Sequence, residues 1–164
     1  MKPVQTVSHM EISSILLWGL LATTLLTTIM AAAKSFGLSR MDIPFLLGTM
    51  FTANRNRAPF YGMISHIFVG WFFALLYAAA FEKTGISTWW FGMLLGLIHG
   101  TFILSAGLQI ISNFHPRMAH PFQGPTPTKQ LQPPGPFATN YGNGTPAVTL
   151  VAHLIYGCIL GLLY

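Results

Sequence analysis

Four stretches of this chain are almost wholly apolar, and polar or charged residues bracket them. They cover residues 12–33, between Glu11 and Lys34; 60–81, between Arg57 and Glu82; 87–112, following Lys83; and 147–164. Each is 18 to 26 residues long, against the ~20 that cross a bilayer as a helix. In hydrocarbon the backbone must satisfy its own hydrogen bonds, so the pattern predicts helices rather than strands. A shorter apolar run, 44–51, cannot span and is expected to lie in the interface or dip back. It belongs to a long loop, 34–59. A second long loop, 113–146, is dense in Gly124-Pro125-Thr126-Pro127 and Pro133-Pro134-Gly135-Pro136. Such composition predicts irregular or polyproline structure, and a loop of this length is normally functional or disordered. The expected fold is therefore an all-α membrane protein of four transmembrane helices, one domain over 1–164, with long, partly ordered loops.

Composition strengthens that picture. Charged residues make up 7% and the mean hydropathy is +0.57, where a soluble domain carries about 25% charge. The net charge of +5 is not a nucleic-acid signature, because the basic residues flank membrane segments. The two long loops hold Lys34, Arg40, Arg55, Arg57, Arg117 and Lys129; the opposite side holds Lys2 and Lys83. This bias places the loops in the cytoplasm and both termini outside. The first stretch ends in Ala31-Ala32-Ala33, as a secretory leader does. Its apolar run is longer than a leader's, and it matches the third helix, so it is read as part of the fold. Cys158 is the single cysteine, which excludes an intrachain disulfide and a cysteine metal cluster.

The chain also resembles itself. Gly19-Leu20-Leu21 returns as Gly96-Leu97-Ile98, and Arg40-Met41 with Pro44-Phe45 returns as Arg117-Met118 with Pro121-Phe122, at an offset of 77. From Gly48/Gly135 through His66/His153 to Tyr77/Tyr164 the offset is 87, so a ten-residue insertion after Phe122 reconciles the two. The expected architecture is two parallel helix-loop-helix repeats, 12–81 and 88–164, about a pseudo-two-fold along the membrane normal. Small residues spaced four apart, Gly92/Gly96 and Gly157/Gly161, predict close helix approach.

The strings Asp42-Ile43-Pro44-Phe45-Leu46-Leu47-Gly48-Thr49, His115-Pro116-Arg117-Met118-Ala119, Gly124-Pro125-Thr126-Pro127, Pro133-Pro134-Gly135, Asn140-Tyr141-Gly142 and Ala152-His153-Leu154-Ile155-Tyr156-Gly157 extend over most of the chain. In these the chain resembles an uncharacterised family of small bacterial four-helix membrane proteins. The resemblance implies a multi-pass protein of the bacterial inner membrane and carries over no functional residue.

Candidate chemistry is sparse. His66, His99 and His153 lie within membrane helices, where ionisable groups are costly and mark functional sites by default. The plainer alternative is a histidine bonded to a carbonyl or a neighbouring helix. His66 and His153 each lie seven residues after a proline, which puts both ~10 Å into their helices. With Gly62, Gly70 and Gly157 as flat neighbours, the pair could ligate haem or chlorophyll-type rings. With His99, and Met63 or Met93 as soft donors, the same pair could hold copper or zinc. Arg40 and Arg117 are expected to bond helix-end carbonyls. Asp42 is expected to pair with a cation or cap a short helix. His115 and His120 flank Arg117, exposed or available to an anion or partner. Three acidic residues, with no Walker loop, nucleophile elbow or HExxH, exclude an acid/base hydrolase. The reading is a non-enzymatic protein whose partners are the bilayer and other membrane subunits or itself, serving as an accessory or structural subunit. A haem, chlorophyll or metal protein and a small carrier are the alternatives.

Overall fold

The chain enters two of its long helices through proline. The computed structural model describes residues 11–164, so Lys2 lies outside the described residues. Its helices are α1 (Ile12–Ser35), α2 (Ile43–Gly48), α3 (Ala58–Thr84), α4 (Trp89–Phe102), α5 (Leu108–Phe114) and α6 (Thr145–Leu163). Pro59 and Pro146 occupy the first turns of α3 and α6, where the missing N–H has no intrahelical partner to lose. Both helices therefore begin two residues before the boundaries read from sequence. α4 and α5 form one span, Trp89–Phe114, joined through a π-helical turn, Ile103–Gly107. With α1, α3 and α6 this makes four helices long and apolar enough to cross a membrane. Among the described residues there are no strands, only isolated bridges such as Met118 to Leu131.

The four spans pack as an open ring in the order α3, α1, α6, α4. The α4–α6 contact is backbone to backbone. A Cβ on Gly92 would collide with the Gly157 carbonyl, one on Gly157 with the Gly92 carbonyl, and one on Gly161 with the Thr88 carbonyl. Such closeness is how small residues stabilise helix pairs where lipid removes the hydrophobic drive. α1 and α3 meet differently. Thr23 fills the space against Gly70, and the Trp71 indole donates to the Leu16 carbonyl at 2.9 Å. α3 and α4 stay further apart and touch through side chains, with Phe73 stacked on His99 and Phe81 against Phe91. Leu17, Leu21, Phe68, Phe72 and Leu76 are exposed on the outer faces.

The two helix pairs differ in register. A residue-for-residue repeat would set His153 opposite Leu104 as His66 is opposite Thr27, and Gly157 opposite Gly100 as Gly70 is opposite Thr23. Instead His153 packs on Gly96 and Gly100, and Gly157 on Gly92. The contacts of the second pair lie one to two turns away from the register that such a repeat would give. Glycines on both faces of α4–α6 permit a close crossing that Thr23 and Trp71 block in α1–α3.

Both long loops fold over one end of the bundle as a cap. The run expected in the interface forms α2 and lies against the start of α3, with Gly48 on the Ala58 backbone and Gly62 on the Pro44 carbonyl. Asp42 caps α2 by accepting from the Phe45 N–H at 2.9 Å, and the cation it pairs with is Lys34, at 2.5 Å. The second loop is tied to itself and to the first. Leu131 N–H donates to the Arg117 carbonyl at 2.9 Å, and Ala119 N–H to the Leu131 carbonyl at 2.8 Å. The arginines cross over. Arg40 of the first loop donates to the Asn140 carbonyl of the second, and Arg117 of the second donates to the Thr49 carbonyl at the end of α2, each at 2.6 Å. They do satisfy carbonyls of short helical turns, but in the opposite loop and not at the ends of α1 or the third span.

Candidate functional site

Three histidines from three helices line one cavity of about 90 Å3 inside the bundle: His66 on α3, His99 on α4 and His153 on α6. α2 and α5 contribute Leu46, Leu47, Leu108 and Ile111 to its walls, so it lies towards the capped end. The π turn supplies Ile103. Such turns insert a residue into a helix and often mark functional positions.

The hydrogen bonds orient two of the rings. Thr149 offers a carbonyl to His153 Nδ1 at 2.7 Å; a carbonyl only accepts, so Nδ1 carries the proton and donates. Thr27 donates its hydroxyl to the Thr23 carbonyl at 2.8 Å, so the contact with His66 Nδ1 at 2.9 Å is a donation from the imidazole. In both neutral rings Nε2 is then left as a lone-pair acceptor. His99 is held by rings instead. It stacks on Phe73 with centroids 3.7 Å apart, and meets His153 nearly edge-on at 4.6 Å. Its Nδ1 lies 3.5 Å from the Tyr77 hydroxyl. Tyr156 donates to the Gly70 carbonyl at 2.7 Å and closes one wall.

The structure thus brings His99 against His153. It does not provide a bed for a tetrapyrrole. Gly62 faces the α2 backbone, Gly70 faces Thr23 and Gly157 faces Gly92. The glycines expected to let a ring lie flat are filled by other helices. A cavity of 90 Å3 is also far below the several hundred Å3 of pockets for sizeable ligands. Haem and chlorophyll do not fit here. Among the described residues no group of three His, Cys, Asp or Glu side chains is arranged to hold a metal ion, and Met63 and Met93 do not line the cavity. Three imidazoles around one space therefore do not make a ready ligand shell for copper or zinc.

Residues passed over in the sequence complete the site: Phe73, Tyr77 and Tyr156. The recurrence of Tyr77 as Tyr164 was a signal, but it pointed elsewhere, because Tyr164 donates to Glu82 at 3.1 Å at the uncapped end. In the cap, His115 is not an exposed anion ligand. It is 1% exposed. Arg117 N–H donates to its Nδ1 at 3.1 Å, so Nε2 carries the proton and donates to the Leu46 carbonyl at 3.0 Å. Burial, with the Arg117 charge adding to it, holds this imidazole below its ordinary pKa against the opposing pull of the Leu46 bond. The Tyr141 hydroxyl, pushed up to about 12 by burial, donates to the Gln132 carbonyl at 2.8 Å. No protein-family model, curated protein or solved structure matches the chain.

Proposed function

We propose that this protein is a multi-pass protein of the bacterial inner membrane that binds a small hydrogen-bond-donating molecule or cation, of the size of water or ammonium, among His66, His99 and His153. The observation that carries this reading is the convergence of three imidazoles on one interior cavity, with two rings held so that Nε2 is an acceptor. Polar side chains are expensive within a membrane, and three in one place exceed what packing needs. A cavity of 90 Å3 accommodates a few waters or one small ion, since one water needs ~10–15 Å3 by this measure. The six-to-two distribution of basic residues supports a cytoplasmic cap.

Small-residue helix faces and an ordered proline-rich loop would also suit an accessory subunit, but both make contacts within the chain. The small-residue faces are spent on the α4–α6 contact. The proline-rich loop is held by its own bridges and by the first loop.

Thermal unfolding in a neutral detergent tests the reading. Ammonium chloride, compared with sodium chloride at equal ionic strength, is expected to raise the wild-type midpoint. At a hundred times the dissociation constant the gain is about 2.7 kcal/mol. The double variant His66→Gln/His153→Gln, with helicity checked by circular dichroism, is expected to lose the response. No ammonium-specific shift in wild type would sink this reading. A shift by zinc or copper alone, lost in the same variant, would replace it with metal binding.

A further inference from the structure

A second cavity lies in the cap, not in the bundle. It is a cleft of about 510 Å3 between the two loops, and it stands apart from the histidine site. Arg55 of the first loop and Arg117 of the second line it, with Phe45, Thr49, Thr128 and Gln130. The Arg55 guanidinium lies over the Phe45 ring, 4.9 Å from its centroid. Stacking of this kind holds an arginine in place while leaving its N–H edge open. Arg117 spends Nη1 on the Thr49 carbonyl at 2.6 Å. A guanidinium has five N–H donors, so most of its fork is left over.

No acid of this chain is placed to neutralise the pair. The three acidic residues are Glu11, Asp42 and Glu82. Asp42 is committed to Lys34 and to the α2 N-terminus. Glu11 precedes α1, and Glu82 lies near the far end of α3, roughly 35 Å from that helix's start at 1.5 Å per residue. Two guanidinium groups thus share a cleft of ligand size with hydroxyl and amide side chains and one aromatic wall. Arginine forks match the oxygens of phosphate, which takes more donors than a carboxylate and suits a site fed from two loops.

We propose that the Arg55–Arg117 cleft binds a phosphate-bearing anion. The phosphate can come from a soluble ester or pyrophosphate, or from the phosphodiester of an anionic lipid. The second source is close at hand, because Phe51 and Phe122 of the same loops are 66% and 94% exposed and would seat the cap against the bilayer surface. The site requires both loops together, so it would join the cap's crosswise bonds to occupancy of the cleft.

The test uses the full chain in a neutral detergent. One arm titrates inorganic pyrophosphate calorimetrically. The other reconstitutes the protein in phosphatidylcholine vesicles with or without phosphatidylglycerol, then extracts it and measures retained phosphatidylglycerol by native mass spectrometry. Arg55→Gln removes a cleft charge that is held to the fold by its stacking on Phe45. Arg57→Gln removes the same charge two residues away, outside the cleft, and serves as the control. Arg117→Lys keeps the charge but not the fork.

Binding in either arm that falls about tenfold or more in Arg55→Gln, as expected for a lost charged hydrogen bond, and changes less than twofold in Arg57→Gln, establishes the site. The arm that responds names the source. Arg117→Lys is expected to weaken the same arm, with the fold checked by circular dichroism. The proposal is overturned if wild type binds neither probe, or if Arg57→Gln weakens binding as much as Arg55→Gln, since that pattern reports only the diffuse positive field of the loops.

Discussion

The bundle and the cap of this protein are held together by opposite means. The bundle packs backbone on backbone at Gly92 and Gly157, and its polar contacts stay within a helix or join adjacent helices, apart from the Tyr156 bond to Gly70 across the ring. The cap contains little regular structure and depends on single donors crossing between segments about 70 to 100 residues apart: Arg40 to Asn140, His115 to Leu46 and Arg117 to Thr49. In lipid, shape is the available specificity, since one apolar surface is as good as another. In the cap, water competes for every donor, so a bond survives only where both groups are held. That is why the buried members, His115, Thr49 and Ser39 bonded to Thr145, are the anchors.

The sharpest way to break the contrast is to place bulk in the bundle. Gly92→Leu drives a side chain into the Gly157 carbonyl, and the helices must separate. The expected loss is at least about 3 kcal/mol, at the upper end for overpacking, read as loss of folded protein by size exclusion and circular dichroism. Thr23→Val in the α1–α3 pair exchanges for a methyl a hydroxyl that donates back to the Gly19 carbonyl at 2.7 Å and lies beside the Tyr156 hydroxyl, and is expected to cost about 1 kcal/mol or less. If the two variants cost the same, the pairs do not differ as described. Next is the cap. Arg117→Met leaves the Thr49 carbonyl without its charged donor, a cost of about 2 kcal/mol. Protease should then cut the segment 124–136 faster while the helical signal of the bundle is unchanged. Joint unfolding of both regions would show that cap and bundle are one unit.

The bundle was largely legible in the sequence and the cap was not. Long apolar runs have only one backbone solution in lipid, so the four spans could be placed to within a few residues. Their prolines gave the depth of His66 and His153. What a helix faces is another matter. Gly62, Gly70 and Gly157 announce room beside a helix without saying who takes it, and here it is the α2 backbone, Thr23 and Gly92. His99 joins the site from a third helix, and no spacing shows which rings it meets there. The crossing of Arg40 and Arg117 into opposite loops depends on pairings about 70 to 100 residues apart. Proline and glycine content, which argued for an irregular segment, carries no trace of such pairings.

Acid offers a subtler separation of the two regions. His115 is neutral, with Nδ1 accepting from the Arg117 N–H. Its pKa is held below the ordinary value near 6.5 by burial first, with the nearby Arg117 charge in the same direction. The unfolded cap would bind the proton more readily than the folded one. Stability from this group is therefore complete above about pH 6.5 and is lost as the pH falls below it. Proteolysis of 124–136 is expected to quicken between pH 7.5 and 5, while helicity holds. His115→Gln should flatten the dependence. An equal slope in that variant would assign the acid response to some other group.

The smallest expected effect lies at the most strained point of the cap. In the turn Pro136–Tyr141, Phe137 and Ala138 have φ of 49° and 61°, the left-handed region that side chains other than those of glycine, asparagine and aspartate adopt at a cost of ~1–2 kcal/mol. The turn is kept there from outside: Gln109 donates to the Gly135 carbonyl at 2.7 Å, Asn140 to the Pro133 carbonyl at 3.0 Å, and Arg40 to Asn140. Ala138 is fully buried, so its replacement would mix strain with packing. Phe137 is 53% exposed and isolates the backbone term. Phe137→Asn, whose side chain tolerates this conformation, is expected to raise cap stability by about 0.5 kcal/mol, and Phe137→Val, β-branched, to lower it by about 1 kcal/mol. Protection of the Arg40 amide from hydrogen exchange would read both changes, because the Arg40 N–H donates to the Tyr141 carbonyl at 2.6 Å at the edge of this turn. If asparagine and valine shift protection in the same direction, side-chain contact rather than backbone strain governs the turn, and the cap resembles the bundle more closely than its crossing bonds suggest.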